Sequence, residues 1–227
     1  MFLVHESDAE PYQLKGRTTR LLIGASSGSQ TITHNISRFP FGHAPGHVHD
    51  PEEEVFYVSE GAGEVWIEGV PYVLGPGTTV HTPMGVEHNV HVTSQEPMTI
   101  IGNFSPHVIP GRYPDLPPRS RDLATPPDAE APFVVHAGAG KGDGLRLLVE
   151  TARMSVGLRD MPPEASIALV AGGSDLVAHV LSGRARLRTS DAVYRVRAGS
   201  VILLVAGEDA TLEVDEPMEA LEVRGVG

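Results

Sequence analysis

The chain has 227 residues, with 17 basic against 29 acidic side chains and a formal net charge of −12. That length fits one large domain or two small ones, and an apolar content of 41 % can fill the core of either. An acidic chain without a basic run excludes phosphate-driven binding to nucleic acid or to an anionic membrane. No stretch reaches the roughly 20 apolar residues of a membrane-spanning helix. The absence of cysteine excludes disulfides, thiolate metal sites and cysteine nucleophiles. The opening Met-Phe-Leu-Val-His-Glu is too short and too soon acidic for a signal peptide, so a cytoplasmic location is expected.

The 25 glycines and 19 prolines exceed average usage of about 7 % and 5 %, and such punctuation favours short strands joined by turns. In chain order, Val65, Ile67 and Val73 fit strand patches. Val86, His88, Val90 and Val92 then alternate with Glu87, Asn89 and His91 at period two. Tyr113 to Pro132 is proline-rich and aperiodic, and reads as a linker. Val201 to Val205 reads as a buried strand and Leu212 to Val214 as a half-exposed one. No amphipathic helix longer than about two turns is found. The fold class is all-β.

The sequence also repeats. A shift of 122 residues places Gly61 on Gly183, Tyr72 on Tyr194, Gly77 on Gly199 and Gly85 on Gly207. Farther upstream, Arg20-Leu-Leu-Ile23 overlays Arg146-Leu-Leu-Val149. These matches predict two tandem domains, 1–112 and 133–227, joined by a 113–132 linker.

The chemistry lies in the first copy. His47 and His49 are two apart in an expected strand, so both imidazoles share one face. A neighbouring strand starting near Glu54 can bring a carboxylate beside them, and Pro83-Met-Gly85 turns the chain just before His88. Three imidazoles and a carboxylate suit a divalent metal.

These two runs resemble the paired motifs of the cupin superfamily. They supply Gly42, His47, His49, Glu54 and Gly61, then Gly77, Pro83, Gly85 and His88. Four residues rather than five separate Gly42 from His47, and Val92 stands where the family has Asn. The resemblance implies a double-stranded β-helix barrel, and the repeat implies two in tandem. It further implies one divalent ion (Fe, Mn, Ni or Zn) on His47, His49, Glu54 and His88. In the second copy these positions become Leu169, Ala171, Leu176 and Ala210, so the C-terminal barrel is expected to hold no metal.

Glu54 is also a candidate catalytic group, as is His43 on a Gly/Pro loop that could curl over the barrel mouth. Glu52 and Glu53 read as a solvated acidic turn, His81 as a packed histidine, His91 as solvent-facing and Arg38 as an edge residue. Phe56 shares the parity of Glu54 and is expected to line the cavity. The expected function is a metal-dependent enzyme acting on a small oxygen-bearing molecule, with dioxygenase as the first reading. A non-oxidative lyase, isomerase or cyclase is the alternative, and a non-catalytic binding cupin the competing class. A small-molecule substrate is the expected partner, with no nucleic acid and no membrane, and a homodimer stays open.

Overall fold

The computed structural model describes residues 1–116, 134–136 and 144–226. The short alternating runs become strands: β1 (Phe2–His5), β2 (Pro11–Leu14), β3 (Arg17–Ile23), β4 (Thr33–Phe39), β5 (Gly42–His43), β6 (Glu53–Glu60) and β7 (Gly63–Ile67). Next come β8 (Val70–Leu74), β9 (Thr78–Thr82), β10 (His88–Val92), β11 (Met98–Ser105) and β12 (Val134–His136). The chain continues with β13 (Gly144–Glu150), β14 (Met154–Met161), β15 (Ser166–Val170), β16 (Leu176–Arg188), β17 (Val193–Arg197), β18 (Ser200–Leu204) and β19 (Asp209–Gly225). The helical turns among the described residues are the 3-10 segments Glu6–Asp8 and Ala25–Ser27. The all-β expectation holds, and no described helix is long and apolar enough to cross a membrane.

The contacts divide the chain into two compact units. The motif unit comprises Pro11–Leu21 and Asn35–Gly138; the C-terminal unit comprises Met1–Glu10, Leu22–His34 and Ala139–Gly227. Residues 1–10 therefore group with the far end of the sequence, unlike a contiguous division at 112 and 133. The cause is local: β1 pairs antiparallel with β18, from Phe2 opposite Leu203 to His5 opposite Ser200. Such a partner, nearly 200 residues away, leaves no periodic mark in the sequence. Of the expected linker, Leu116 bridges Gly46, and residues 117–132 lie outside the described residues.

In the motif unit a sheet ordered β12-β9-β6-β11-β4-β3-β2 shares one core with a smaller sheet ordered β5-β10-β7-β8. Strand β7 shows the expected period: Val65 and Ile67 are buried, and Glu64 and Trp66 half-exposed. Strand β11, between β6 and β4, is buried at every residue, as a central strand covered on both faces must be. Phe56, Val58 and Ile100 from the larger sheet meet Val65, Ile67 and Val90 from the smaller in a barrel-like core. The C-terminal unit follows β1-β18-β16-β19-β14-β13, with β15 also on β19 and β17 on β16. Its core includes Leu176, Leu187, Ile202 and Leu212.

The pairing register recurs with the sequence repeat. Glu54 faces Thr82 in the motif unit, and Leu176 faces Leu204 in the C-terminal unit. Val90 opposite Val65 becomes Leu212 opposite Leu187, and the His47–His88 bridge becomes Leu169 opposite Ala210. Each partner has moved by 122 positions, as 176 − 54 and 210 − 88 both show. The recurring glycines have a steric basis. Gly61 (φ 82°) and Gly183 (φ 83°) both adopt the left-handed region where the next strand crosses closely. A Cβ on Gly61 would stand 2.6 Å from the Met98 Cα, and one on Gly183 would strike the Pro217 carbonyl.

Candidate metal centre

His47 enters through backbone pairing rather than through a long strand. Its N–H donates to the His88 carbonyl, and the His88 N–H donates back, both at 3.0 Å. The Pro83-Met-Gly85 turn fixes the third histidine. With Gly85 at φ 83°, its N–H donates to the His49 carbonyl at 2.9 Å, tying the turn before His88 to the His-x-His run. Glu54 lies one residue into β6, whose pairings with β9 and β11 set its direction. One donor atom from each of His47, His49, Glu54 and His88 then lies within 4.8 Å of the others. His49, Glu54 and His88 are buried and His47 half-buried.

The donor chemistry fits a cation. The His88 Nδ1 lies 3.1 Å from the Val86 carbonyl and the His47 Nδ1 3.4 Å from the Pro45 carbonyl. With Nδ1–H donated to those carbonyls, each Nε2 keeps its lone pair. The Glu54 Oε2 is 3.1 Å from the His88 Nε2 and 3.5 Å from the His49 Nε2. Both His49 ring nitrogens are buried without a hydrogen bond. Lone pairs facing a carboxylate repel unless a cation or a shared proton stands among them. Protons are disfavoured at His47: burial, and then the neighbouring His88, His49 and Arg17, push its imidazole well below its ordinary 6.5. For Glu54, burial alone would raise the carboxyl. The neighbouring His49 and His88 outweigh it and hold the group far below the usual carboxylate range.

A cavity of about 470 Å³ opens on this cluster within the motif unit. Its walls include Phe39, Phe56, Phe104, Val90 and Ile100, with Arg17, Thr19, Asn35 and Ser37 as a polar side. The Phe104 and Tyr113 rings each contact His49 edge-on, with centroids 5.1 Å apart. Gly102 leaves little room beneath the cluster. A Cβ there would stand 2.9 Å from the Asn35 Oδ1 and 3.4 Å from the Glu54 Oε1.

Several expectations need correction. His43 is exposed and absent from the cavity wall. Strand β5 places it opposite His91, where the rings stack with centroids 3.7 Å apart, and turns buried Ala44 inward instead. His91 is thus covered by His43 rather than facing open solvent. Glu52 and Glu53 are not a solvated turn: they are 1 % and 8 % exposed. Glu52 accepts a hydrogen bond from the Tyr113 hydroxyl and lies 3.7 Å from Arg112, while Glu53 lies 3.2 Å from the His81 ring. Phe56 lines the cavity, as expected, whereas exposed Arg38 lies in β4, between β11 and β3 rather than at a sheet edge. The sequence reading passed over Arg17 and Tyr113, both in the cavity wall. No fixed spacing links either to the motifs, so strand pairing and the path of the 106–116 segment were needed to find them. Leu169, Ala171, Leu176 and Ala210 are all buried apolar side chains of the C-terminal core.

Residues 38–102 match the family model described as Cupin domain, in agreement with the motif resemblance. No curated protein matches the chain by sequence. Solved structures similar to it include Bacillus subtilis oxalate decarboxylase at pH 4.6, with 16 % identity and a TM-score of 0.77 over 99 % of this chain and 76 % of that one. An arginine-to-alanine variant of the same enzyme has 18 % identity and a TM-score of 0.77, covering 99 % and 77 %. A structure concerned with the Mn(II) centres of that decarboxylase gives 16 % identity, the same TM-score and the same coverage as the variant. At these identities the likeness is one of fold.

Proposed function

We propose that the motif unit is the catalytic cupin barrel of a metal-dependent enzyme, acting on a small oxygen-bearing organic molecule held in its cavity. The observation that carries this reading is the closed set of His47, His49, Glu54 and His88 opening onto a cavity large enough for such a molecule. The four residues would hold one divalent ion, of which Fe, Mn, Ni and Zn all accept this donor set. When bound, such an ion supplies Lewis acidity toward a substrate oxygen and, if redox-active, electron transfer to dioxygen.

The chain's own residues do the rest. Burial keeps His47 neutral and so able to offer its lone pair, while Glu54 stays ionised and offsets one positive charge. Phe39, Phe56 and Phe104 exclude water, which strengthens electrostatic attraction at the reacting oxygen. Tyr113 faces the cavity with its hydroxyl donated to Glu52 and to the Asp50 carbonyl, at 2.9 Å from the latter. Burial and the Glu52 contact raise its pKa, so this phenol holds its proton beside the site.

We read the whole chain as two tandem double-stranded β-helix barrels. The N-terminal one does the chemistry, and the C-terminal one has exchanged its ligands for core residues. Dioxygenase remains the first reading of the reaction. A non-oxidative lyase is the second, favoured by the fold likeness to oxalate decarboxylase. Metal-loaded protein offered candidate substrates should consume oxygen in step with turnover if the first holds. Full-rate turnover under strict anaerobiosis would select the second. No turnover of any candidate with any of the four metals would remove the enzymatic reading.

A further inference from the structure

Strand β3 brings Arg17 into the cavity wall, with Thr19 two residues on along the same face. The Arg17 guanidinium lies over the Phe39 ring, 5.5 Å from its centroid. No carboxylate among the described residues forms an ion pair with it, although it feels the charges of Glu54 and Asp115. The wall's other cation, Lys15, is already engaged by Asp115 at 3.5 Å. Burial pushes the Arg17 group below its ordinary value, with Glu54 opposing. A guanidinium has five N–H donors, and those of half-buried Arg17 stay open to whatever the cavity holds. An anion in the cavity would meet these donors with charge-assisted hydrogen bonds.

The charges point the same way. Lys15 and Asp115 cancel, as do Arg17 and Glu54, so a divalent ion on the cluster leaves the cavity with two uncompensated positive charges. Low-dielectric walls strengthen the attraction of that excess for an anion. The remaining wall is apolar and aromatic, with Phe39, Phe104, Val90 and Ile100 beside the cluster.

We propose that the cavity is a receptor for a small organic carboxylate, bound with its carboxylate on Arg17 and its apolar body against Phe39 and Phe104. Neutral polyols and bare dicarboxylates fit this wall less well. The first lack the anion that the guanidinium needs, and the second lack the apolar body that the aromatic rings receive. The inference rests on the catalytic reading of the motif unit for its metal, but the Arg17 contact does not depend on it.

Calorimetric titration of the full chain with benzoate and with benzamide, its neutral isostere, tests the proposal. Benzoate should bind the wild type at least tenfold more tightly than benzamide. Arg17→Gln should erase that difference without changing metal content or thermal stability, and Arg17→Lys should restore part of it. Oxalate should bind more weakly than benzoate. Equal affinity for benzoate and benzamide in the wild type overturns the proposal and needs no variant. A benzoate preference that survives in a folded Arg17→Gln protein also overturns it, because the anion is then held elsewhere. Elemental analysis of the same samples separates the two readings. Metal-free protein that keeps an Arg17-dependent preference ends the metal reading alone, and metal-loaded protein without the preference ends this one alone.

Discussion

Gly102→Ala should weaken metal binding while leaving the fold largely intact. Gly102 sits in β11 opposite Phe56, beneath the carboxylate of Glu54. Its φ is not in the left-handed region, so the backbone accepts alanine, and the loss of glycine's unfolded-state freedom contributes about 0.5–1 kcal/mol in favour of the variant. Against this, the new methyl stands 2.9 Å from the Asn35 Oδ1, a contact that must open, and 3.2 Å from the Phe104 Cε2, which must give by a few tenths of an ångström. Overpacking of this kind costs about 1–3 kcal/mol, so the net loss of stability is roughly zero to 2.5 kcal/mol. The larger effect falls on the ligands. Asn35 and Phe104 can move only within the cavity wall, and the Glu54 Oε1 is 3.4 Å from the same methyl. A shift of about 0.5 Å in Glu54 reaches the tolerance of a metal site. At about 1–2 kcal/mol of lost ligation, affinity should fall between fivefold and thirtyfold. Competition titration with a chelator of known affinity measures the dissociation constant, and thermal unfolding of the metal-free protein measures the stability. Unchanged affinity in a destabilised variant would refute the reasoning, because the strain would then bypass Glu54.

The metal-free protein should lose stability in two acid steps. His47 lies below its unfolded 6.5, so the unfolded chain binds that proton first, and the stability it contributes is complete above about pH 6.5 and erodes below it. Glu54 lies below its unfolded 4.5, so its contribution is intact above about pH 4.5 and is lost as pH falls further. Melting temperatures of His47→Gln and Glu54→Gln against pH should each flatten their own step; coincident wild-type and variant profiles would contradict the assignment. Tyr113→Phe leaves buried Glu52 without its hydroxyl donor and should cost about 1–3 kcal/mol of unfolding free energy in denaturant titration. Leu176→Ala, at the C-terminal counterpart of Glu54, empties a fully buried site and should cost about 2–5 kcal/mol with no change in metal content.

What was legible in the sequence was local or strictly periodic. The close spacing of His47 and His49 marks them as a pair, and the Pro83-Met-Gly85 turn carries its own conformational demand. Gly61 and Gly183 recur because a crossing strand leaves no room for a Cβ. What was not legible depended on distant partners. Glu52 and Glu53 look like a solvated turn until Tyr113 and Arg112, some 60 residues later, cover Glu52. His43 looked like a mouth residue because the loop before His47 gave no strand phase; its pairing with His91 sets that phase and turns it outward. Arg17 precedes His47 by 30 residues, and the placement of β3 beside β4 gives it a role.

The central claim is that one divalent ion sits on His47, His49, Glu54 and His88, with no second site in the C-terminal unit. Elemental analysis of purified full-length protein, beside its His49→Ala variant, tests it most directly. The wild type should carry one equivalent of divalent metal per chain, and the variant, with an incomplete ligand set, only a small fraction of that. Two equivalents in the wild type, or an undiminished equivalent in a folded His49→Ala protein, would contradict the account.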